Sequence, residues 1–388
     1  MVYLENQTRL SCRRFLNKKI HSLCARVVRG GIYLLLALCF IHPADSVARR
    51  THVSPEQHRQ LSSIDTVYLS TVLVSSKDRE TPIVIQNVVA TRLREIGLKV
   101  VLDVTQPHDA EFRVMCEEEK KETATTRYGG DAELAFAPDR LWHGAACLLG
   151  YRLKGKDLGW YKEVRTASDQ LSQAVKDEDR RAHLIQQLAE ELERFDFPVF
   201  LLSEWGQTER LIVLLRSRQT ALERKQRILE EFRFLPAPDA QALFLDLVED
   251  KDLREFAIGA LAGLGSPAIP PLRDLFEDAT QLDSVRVAAA RGLGHVGLST
   301  GDLQALEPLL KYLQLVLKNL RASTDIEFPV LTEVVWAVGQ VHHDDTVHLI
   351  EELEAKLWII YDTSPEMRKL REMVSVVYKY VDLRSRIL

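Results

Sequence analysis

The densest set of metal-capable side chains in the sequence is His342-His343-Asp344-Asp345, with His348 beyond it. Imidazole and carboxylate groups ligate zinc and related ions when three or four of them converge on one point. His343 and His348 stand five apart, a poor match to one helical face. An Asp ahead of an apolar run has a simpler use as a helix N-cap, and Asp344 or Asp345 is expected in that role. The tetrapeptide therefore reads as an interhelical turn, and no metal site is assigned.

The other candidates also have plain structural uses. His295 sits among the small residues Gly294 to Gly297 and reads as packing or surface. Arg254, Arg286 and Arg291 could line an inner helical face, or pair with acids of neighbouring elements. Asp109, Glu111, Glu117, Glu118 and Glu119 form an acidic run expected on a solvated face. Trp142, His143 and Trp160 are candidate exposed side chains, although Trp more often lies partly in a core. There is no phosphate-binding Gly loop, no Gly-x-Ser-x-Gly elbow and no Cys-x-x-Cys. No catalytic, cofactor-binding or metal-binding residue is nominated.

The elements that must position these residues show a repeat. Residues 254–265 run Arg-Glu-Phe-Ala-Ile-Gly-Ala-Leu-Ala-Gly-Leu-Gly, and a shift of 32 returns the register. Arg286, Ala289, Leu293, Val296 and Gly297 fall on Arg254, Ala257, Leu261, Leu264 and Gly265. Val334 to Val341 aligns on Ala257 to Leu264. Self-similarity at this period marks a helical array, with small residues where helices approach, large apolar ones in the seam and Gly closing the helix in a left-handed cap. The expected helix pairs are 220–235 with 239–250, 253–264 with 267–277, 283–296 with 302–320, and 328–342 with 344–359. A last helix at 365–382 caps the end. This pattern resembles the HEAT-like repeat family in its short, bilin-lyase-type form, over residues 206–388. The resemblance implies an all-α solenoid with a protein-binding surface. Di-iron hydroxylases built on HEAT repeats use His-Glu dipeptides, and this chain contains none.

Residues 64–74 are rich in β-branched and apolar side chains and predict a strand. A helix follows from Thr81-Pro82, with Ile85, Val89, Leu93 and Ile96 on one face and Gly97 as its stop. Strands are predicted at 98–102 and 111–116, a loop or irregular hairpin at 117–140, a hairpin from 146–154 and 160–165, and a long helix at 168–194. The helix–Gly–strand unit ending at Asp103, the Asp109-Ala110 entry and the Gly159-Trp160 hairpin resemble the small α/β domains of bacterial envelope lipoproteins and of the amino-terminal part of the Tol–Pal propeller protein. The expected class is an α+β amino-terminal domain at 63–205, then the solenoid at 206–388.

Residues 1–48 read as a signal peptide and 49–62 as a linker. Arg26 and Arg29 precede an apolar core at 31–41, too short for an ordinary membrane span of about 20 apolar residues. Ser46-Val47-Ala48 places cleavage after Ala48. Two alternatives stay open: an uncleaved anchor, and a lipoprotein at Cys39, for which the preceding Leu38 is a poor match. Arg13-Arg14 is too remote from the apolar core to act as a twin-arginine signal. Residues 1–48 hold seven basic and two acidic side chains, net +5, so a chain totalling −5 carries −10 on the remainder. That acidic body argues against a general nucleic-acid binder. Cys116 and Cys147 are the two cysteines left after cleavage, either bonded or as two buried thiols.

The function expected is that of a non-catalytic, exported adaptor or scaffold of the bacterial envelope, periplasmic or envelope-bound, whose partner is protein. No nucleic acid, small-molecule ligand or cofactor is expected, and membrane association only if the amino terminus is retained. The alternatives are an enzyme or enzyme subunit with a site at the junction of the two domains, and a membrane-anchored assembly factor.

Overall fold

The α/β part is built on a strand whose side chains alternate strictly between two environments. In β1 (Thr66–Val74), Val67, Leu69, Thr71 and Leu73 are buried while their neighbours are half-covered, as a strand with one face on a core requires. The structure, a computed structural model, describes residues 54–74, 79–122, 142–166, 177–341 and 343–387. The leader, the lipoprotein Cys39 and most of the 117–140 loop lie outside these residues. Residues 54–388 form one compact unit.

β2 (Arg79–Glu80) pairs antiparallel with the end of β1. β3 (Lys99–Val101) and β4 (Ala110–Glu122) pair parallel with β1 on opposite sides, and β5 (Trp142–Leu153) and β6 (Lys156–Arg165) complete a mixed sheet as an antiparallel hairpin. Phe112, Val114 and Cys116 of β4 share a buried face with Leu149 and Tyr151 of β5. Helices cover that face. α1 (Pro55–Ser62) opens the described chain, α2 (Ile83–Glu95) crosses from β1 to β3, and α3 (Asp177–Arg194) follows the sheet. α4 (Phe197–Glu204) sets Phe197 on Phe112, ring centroids 5.7 Å apart.

Several local expectations shift. Part of the 49–62 linker is helical: Ser54 and Gln57 form a reciprocal capping box for α1, and Leu61 is buried. Pro82, not Thr81, is the N-cap of α2, while Ile85, Val89, Leu93 and Ile96 are all buried as its spacing predicts. β4 runs to Glu122, past the expected loop start. Cross-strand pairing to β5 carries it there, a cause no local pattern reveals. α4 had no counterpart in the expected elements, because a short, uniformly apolar stretch has no helical periodicity to read.

The array is an alternation of two helix layers. The first layer holds α6 (Leu222–Phe232), α8 (Arg254–Ala262), α10 (Asp283–Thr300), α12 (Phe328–Gln340) and α14 (Pro365–Ile387). The second holds α7 (Gln241–Val248), α9 (Ile269–Glu277), α11 (Glu307–Asn319) and α13 (Asp344–Ile359). α5 (Thr208–Arg216) leads into it. Successive first-layer helices pack side by side, and from α8 onward each also packs on the second-layer helix that precedes it.

Ala257, Ala260, Ala289, Leu261 and Leu293 are fully buried, as the repeat register requires. The closest approaches, however, are at glycines. A Cβ on Gly294 would stand 2.7 Å from Ala337 Cβ, and one on Gly339 would stand 2.5 Å from Val377 Cγ1. The expected cap at Gly297 is not one. α10 continues a further turn, Gly297 is buried within it, and Gly301 with φ +72° is the left-handed cap. Gly265 does have positive φ, +74°, but with ψ −145°, in the turn beyond α8.

Candidate partner-binding surface

Three of the arginines that the repeat singles out have local partners. Arg254 Nε donates to the Val248 carbonyl at 2.7 Å, and Arg286 Nε donates to the Phe276 carbonyl at 3.1 Å. Each answers an orphan carbonyl at the end of the preceding second-layer helix. Arg371 does the same for Leu357 at 3.0 Å, an instance the irregular spacing concealed. Buried Arg286 also lies over the rings of Phe276 and Tyr312, 5.9 Å from each centroid, and pairs with Glu327 at 2.9 Å. Arg291 crosses from α10 to α12, where its fork meets both oxygens of Glu333 at 3.0 and 2.7 Å. These contacts make the register legible: the arginines join neighbouring elements and leave little cation free.

The remaining candidates separate. His343 is itself the N-cap of α13, its Nδ1 accepting from the Asp345 N–H at 3.2 Å. The helix starts one residue earlier than a cap at Asp344 would allow, and two earlier than one at Asp345. His348 is exposed and His342 lies outside the described residues. No group of three metal-capable side chains comes together among the described residues. Asp109 Oδ2 accepts the N–H groups of Asp65 and Thr66 at 3.0 and 2.8 Å, closing the start of β1 against β4. Glu118 pairs with Arg181, and Glu111 faces Arg113 at 3.5 Å. Trp160 is half-buried against Phe112 and Tyr151. The side chains of Glu119, Trp142 and His143 lie outside the described residues.

What the helices present together is a continuous face on the first layer. It begins with Arg233 and Phe234, just past α6. His295 of α10 meets the Phe234 ring edge-on at 6.2 Å. Between them, Gly259 and Ala262 of α8 floor a small cavity of about 50 Å³ rimmed by Arg233, Glu255, Arg291 and His295. The Arg291–Glu333 pair carries the face on to α12, where Trp336 is exposed. Burial, then the charge of Arg233, holds His295 below the ordinary histidine range. Burial, then Arg291, also lowers Arg233. Alternating charge, one neutral imidazole and two exposed aromatics on rigid helices suit recognition of a polypeptide.

Two other surfaces stand out. On α14, Val376, Tyr380 and Leu383 are exposed beside the buried stripe Val374, Val377 and Val381, where a terminal repeat ordinarily turns a polar side outward. At the junction of sheet and array lies a cavity of about 790 Å³ bordered by Arg92, Glu95, Asp196, Arg224 and Arg227. Its ionisable groups answer one another. Asp196 Oδ1 accepts from Arg92 at 2.9 Å and Arg224 at 3.1 Å, while Glu95 Oε2 accepts from the same two at 2.8 and 3.2 Å. Burial pushes the Asp196 carboxyl up, and the attraction of Arg92 only partly offsets it. No described helix is long and apolar enough to cross a membrane.

Cys116 and Cys147, directly opposed on β4 and β5, form a disulfide across a separation of 31 residues. A family profile described as HEAT repeats matches residues 241–316. The match spans α7 to α11, the helices whose register the arginines mark. No curated protein matches the chain. The chain is thus an α/β unit continued by a helical array that is HEAT-like over the matched stretch, and HEAT repeats commonly mediate protein–protein interaction and are generally not catalytic.

Proposed function

We propose that this protein is a non-catalytic, exported adaptor of the bacterial envelope that holds a protein segment along the first-layer face of its repeat array. The observation that carries this reading is the unbroken run of side chains from Arg233 through His295 and Arg291 to Glu333, displayed across several helices. Stacked repeats give such a surface many modest contacts with little reorganisation on binding. The disulfide supports export, because disulfides persist in oxidising compartments, and the basic leader with its short apolar core agrees. Amino-terminal sequencing of the exported protein separates a cleaved adaptor, beginning at Arg49, from an anchored assembly factor that keeps its leader.

The test is capture from envelope extract with the exported chain as bait and its Arg291→Glu variant as control. A protein retained by the parent and lost from the variant is the expected result. Retention of nothing above the variant's background counts against the proposal.

The junction cavity favours a second reading, an enzyme or enzyme subunit with its site there, because titratable groups converge on it. Four of them, Arg92, Glu95, Asp196 and Arg224, are joined in a closed ring of ion pairs. Thermal-shift measurements with small anions address this. A stabilisation that disappears in Arg227→Ala would favour the enzyme.

A further inference from the structure

One cation on the first-layer face lies against an aromatic ring, the Arg233 guanidinium carbon 5.9 Å from the Phe234 centroid. Arg233 is half-buried at the end of α6, and among the described residues its guanidinium makes no hydrogen bond or ion pair. Glu333 and Glu230 act on it only through space, while Arg291 opposes it. Arg291 differs, its Nε and Nη2 both donating to the Glu333 carboxylate. A partly desolvated guanidinium with unused donors is an expensive group to leave alone. Its natural complement is a planar anion received on the fork.

The space beside it sets the size of that anion. The cavity floored by Gly259 and Ala262 measures about 50 Å³, where roughly 10–15 Å³ of such space holds one water molecule. One carboxylate fits there; a nucleotide or a sugar does not. The floor is open for a physical reason: a Cβ on Gly259 would meet only Arg233 Cδ, at 3.9 Å. Phe234, exposed next to Arg233, adds an apolar shelf for the residue flanking the acid.

We infer that Arg233 and the cavity beside it form the anchor point for a single carboxylate, an Asp or Glu side chain of an acidic segment in the protein partner. The inference rests on the protein-binding reading above and specifies the chemistry of the segment bound.

The experiment is fluorescence anisotropy at low salt with labelled oligoglutamate and oligoglutamine peptides of equal length. The parent chain should bind oligoglutamate and not oligoglutamine. Arg233→Gln should weaken binding about tenfold or more, as loss of a charge-assisted hydrogen bond implies. Gly259→Leu, which fills the floor and leaves every charge in place, should weaken it as well. Arg216→Gln, at an exposed arginine of α5, should leave it within about twofold, as a solvated surface charge contributes little. Absence of oligoglutamate binding overturns the site, as does equal loss at Arg216 and Arg233. Displacement of the peptide by inorganic phosphate at matched ionic strength also overturns it, in favour of a free-anion site. Each of these leaves the capture result standing, whereas failed capture with intact peptide binding removes only the adaptor reading.

Discussion

Arg92 Nη2 donates to Asp196 Oδ1 at 2.9 Å, although 104 positions separate the two residues. Arg92 belongs to the α/β crossover helix, and Asp196 sits between α3 and α4. Arg224 of the first array helix reaches the same oxygen. Both members of the pair are largely covered, so removing one strips the other of its shared ion pair and leaves Arg92 only Glu95, or Asp196 only Arg224. Asp196→Ala is expected to cost roughly 3 kcal/mol, whereas Arg92→Met with Asp196→Leu together should cost less. Denaturant midpoints across this double-mutant cycle check it, and additive losses would show that the pair is not coupled.

The seam glycines predict opposite signs for the same substitution. At Gly294 the added methyl would stand 2.7 Å from Ala337 Cβ, so Gly294→Ala must separate α10 from α12. At Gly259 the methyl meets nothing closer than 3.9 Å, and the helix gains the propensity of alanine. Gly259→Ala should stabilise by up to about 1 kcal/mol. Gly294→Ala should destabilise by about 1–3 kcal/mol, the usual range for overpacking. Thermal melts of both variants decide it, and two shifts of the same sign would contradict the seam.

Ala260 is fully buried in α8. Ala260→Leu is expected to cost about 1–3 kcal/mol, with the damage passing to adjoining repeats. Gly265→Val should also destabilise, because φ there is +74° and a β-branched residue is strained in that region. Limited proteolysis should show new cuts within 222–300 before any in the sheet. Simultaneous loss of sheet and array would show that the contacts between them outweigh the repeat interfaces.

His295 gives a pH dependence. Its folded pKa lies below the ordinary 6.5, through burial and then Arg233. As pH falls through 6.5 the unfolded chain takes up a proton that the folded one refuses, so stability drops until the folded pKa is reached. His295→Gln removes that contribution. The difference in denaturation midpoint between parent and variant should change as pH is lowered from 8 to 5, to the parent's disadvantage. A difference independent of pH would show that the imidazole is not held neutral.

Replacing both Cys116 and Cys147 by Ala opens a cross-link spanning 31 residues and is expected to cost about 2–4 kcal/mol. Urea midpoints of the two proteins measure it. Thiol labelling of the unfolded parent without reductant should find neither residue, and labelling of either would contradict the bond.

The layered array was readable from residues 254–297 because a repeat writes its packing into one short period: small residues at crossings, leucines in the seam and an arginine at each helix start. The strand of alternating residues at 66–74 and the apolar face of α2 were readable for the same reason, a local period of two or of 3.6. Tertiary structure alone decided the rest. Whether Cys116 faces Cys147 depends on the register of two strands, and the extent of β4 on its partner. The close contacts of Gly294 on Ala337 and of Gly339 on Val377 belong to neighbouring helices at spacings the 32-residue period does not contain. Arg291 and Arg233 look alike as residues. One is neutralised by Glu333 and the other stands over an open cavity, a difference set by where α12 places its carboxylate. Charge pairing acts over a few ångströms in space and carries no mark along the chain.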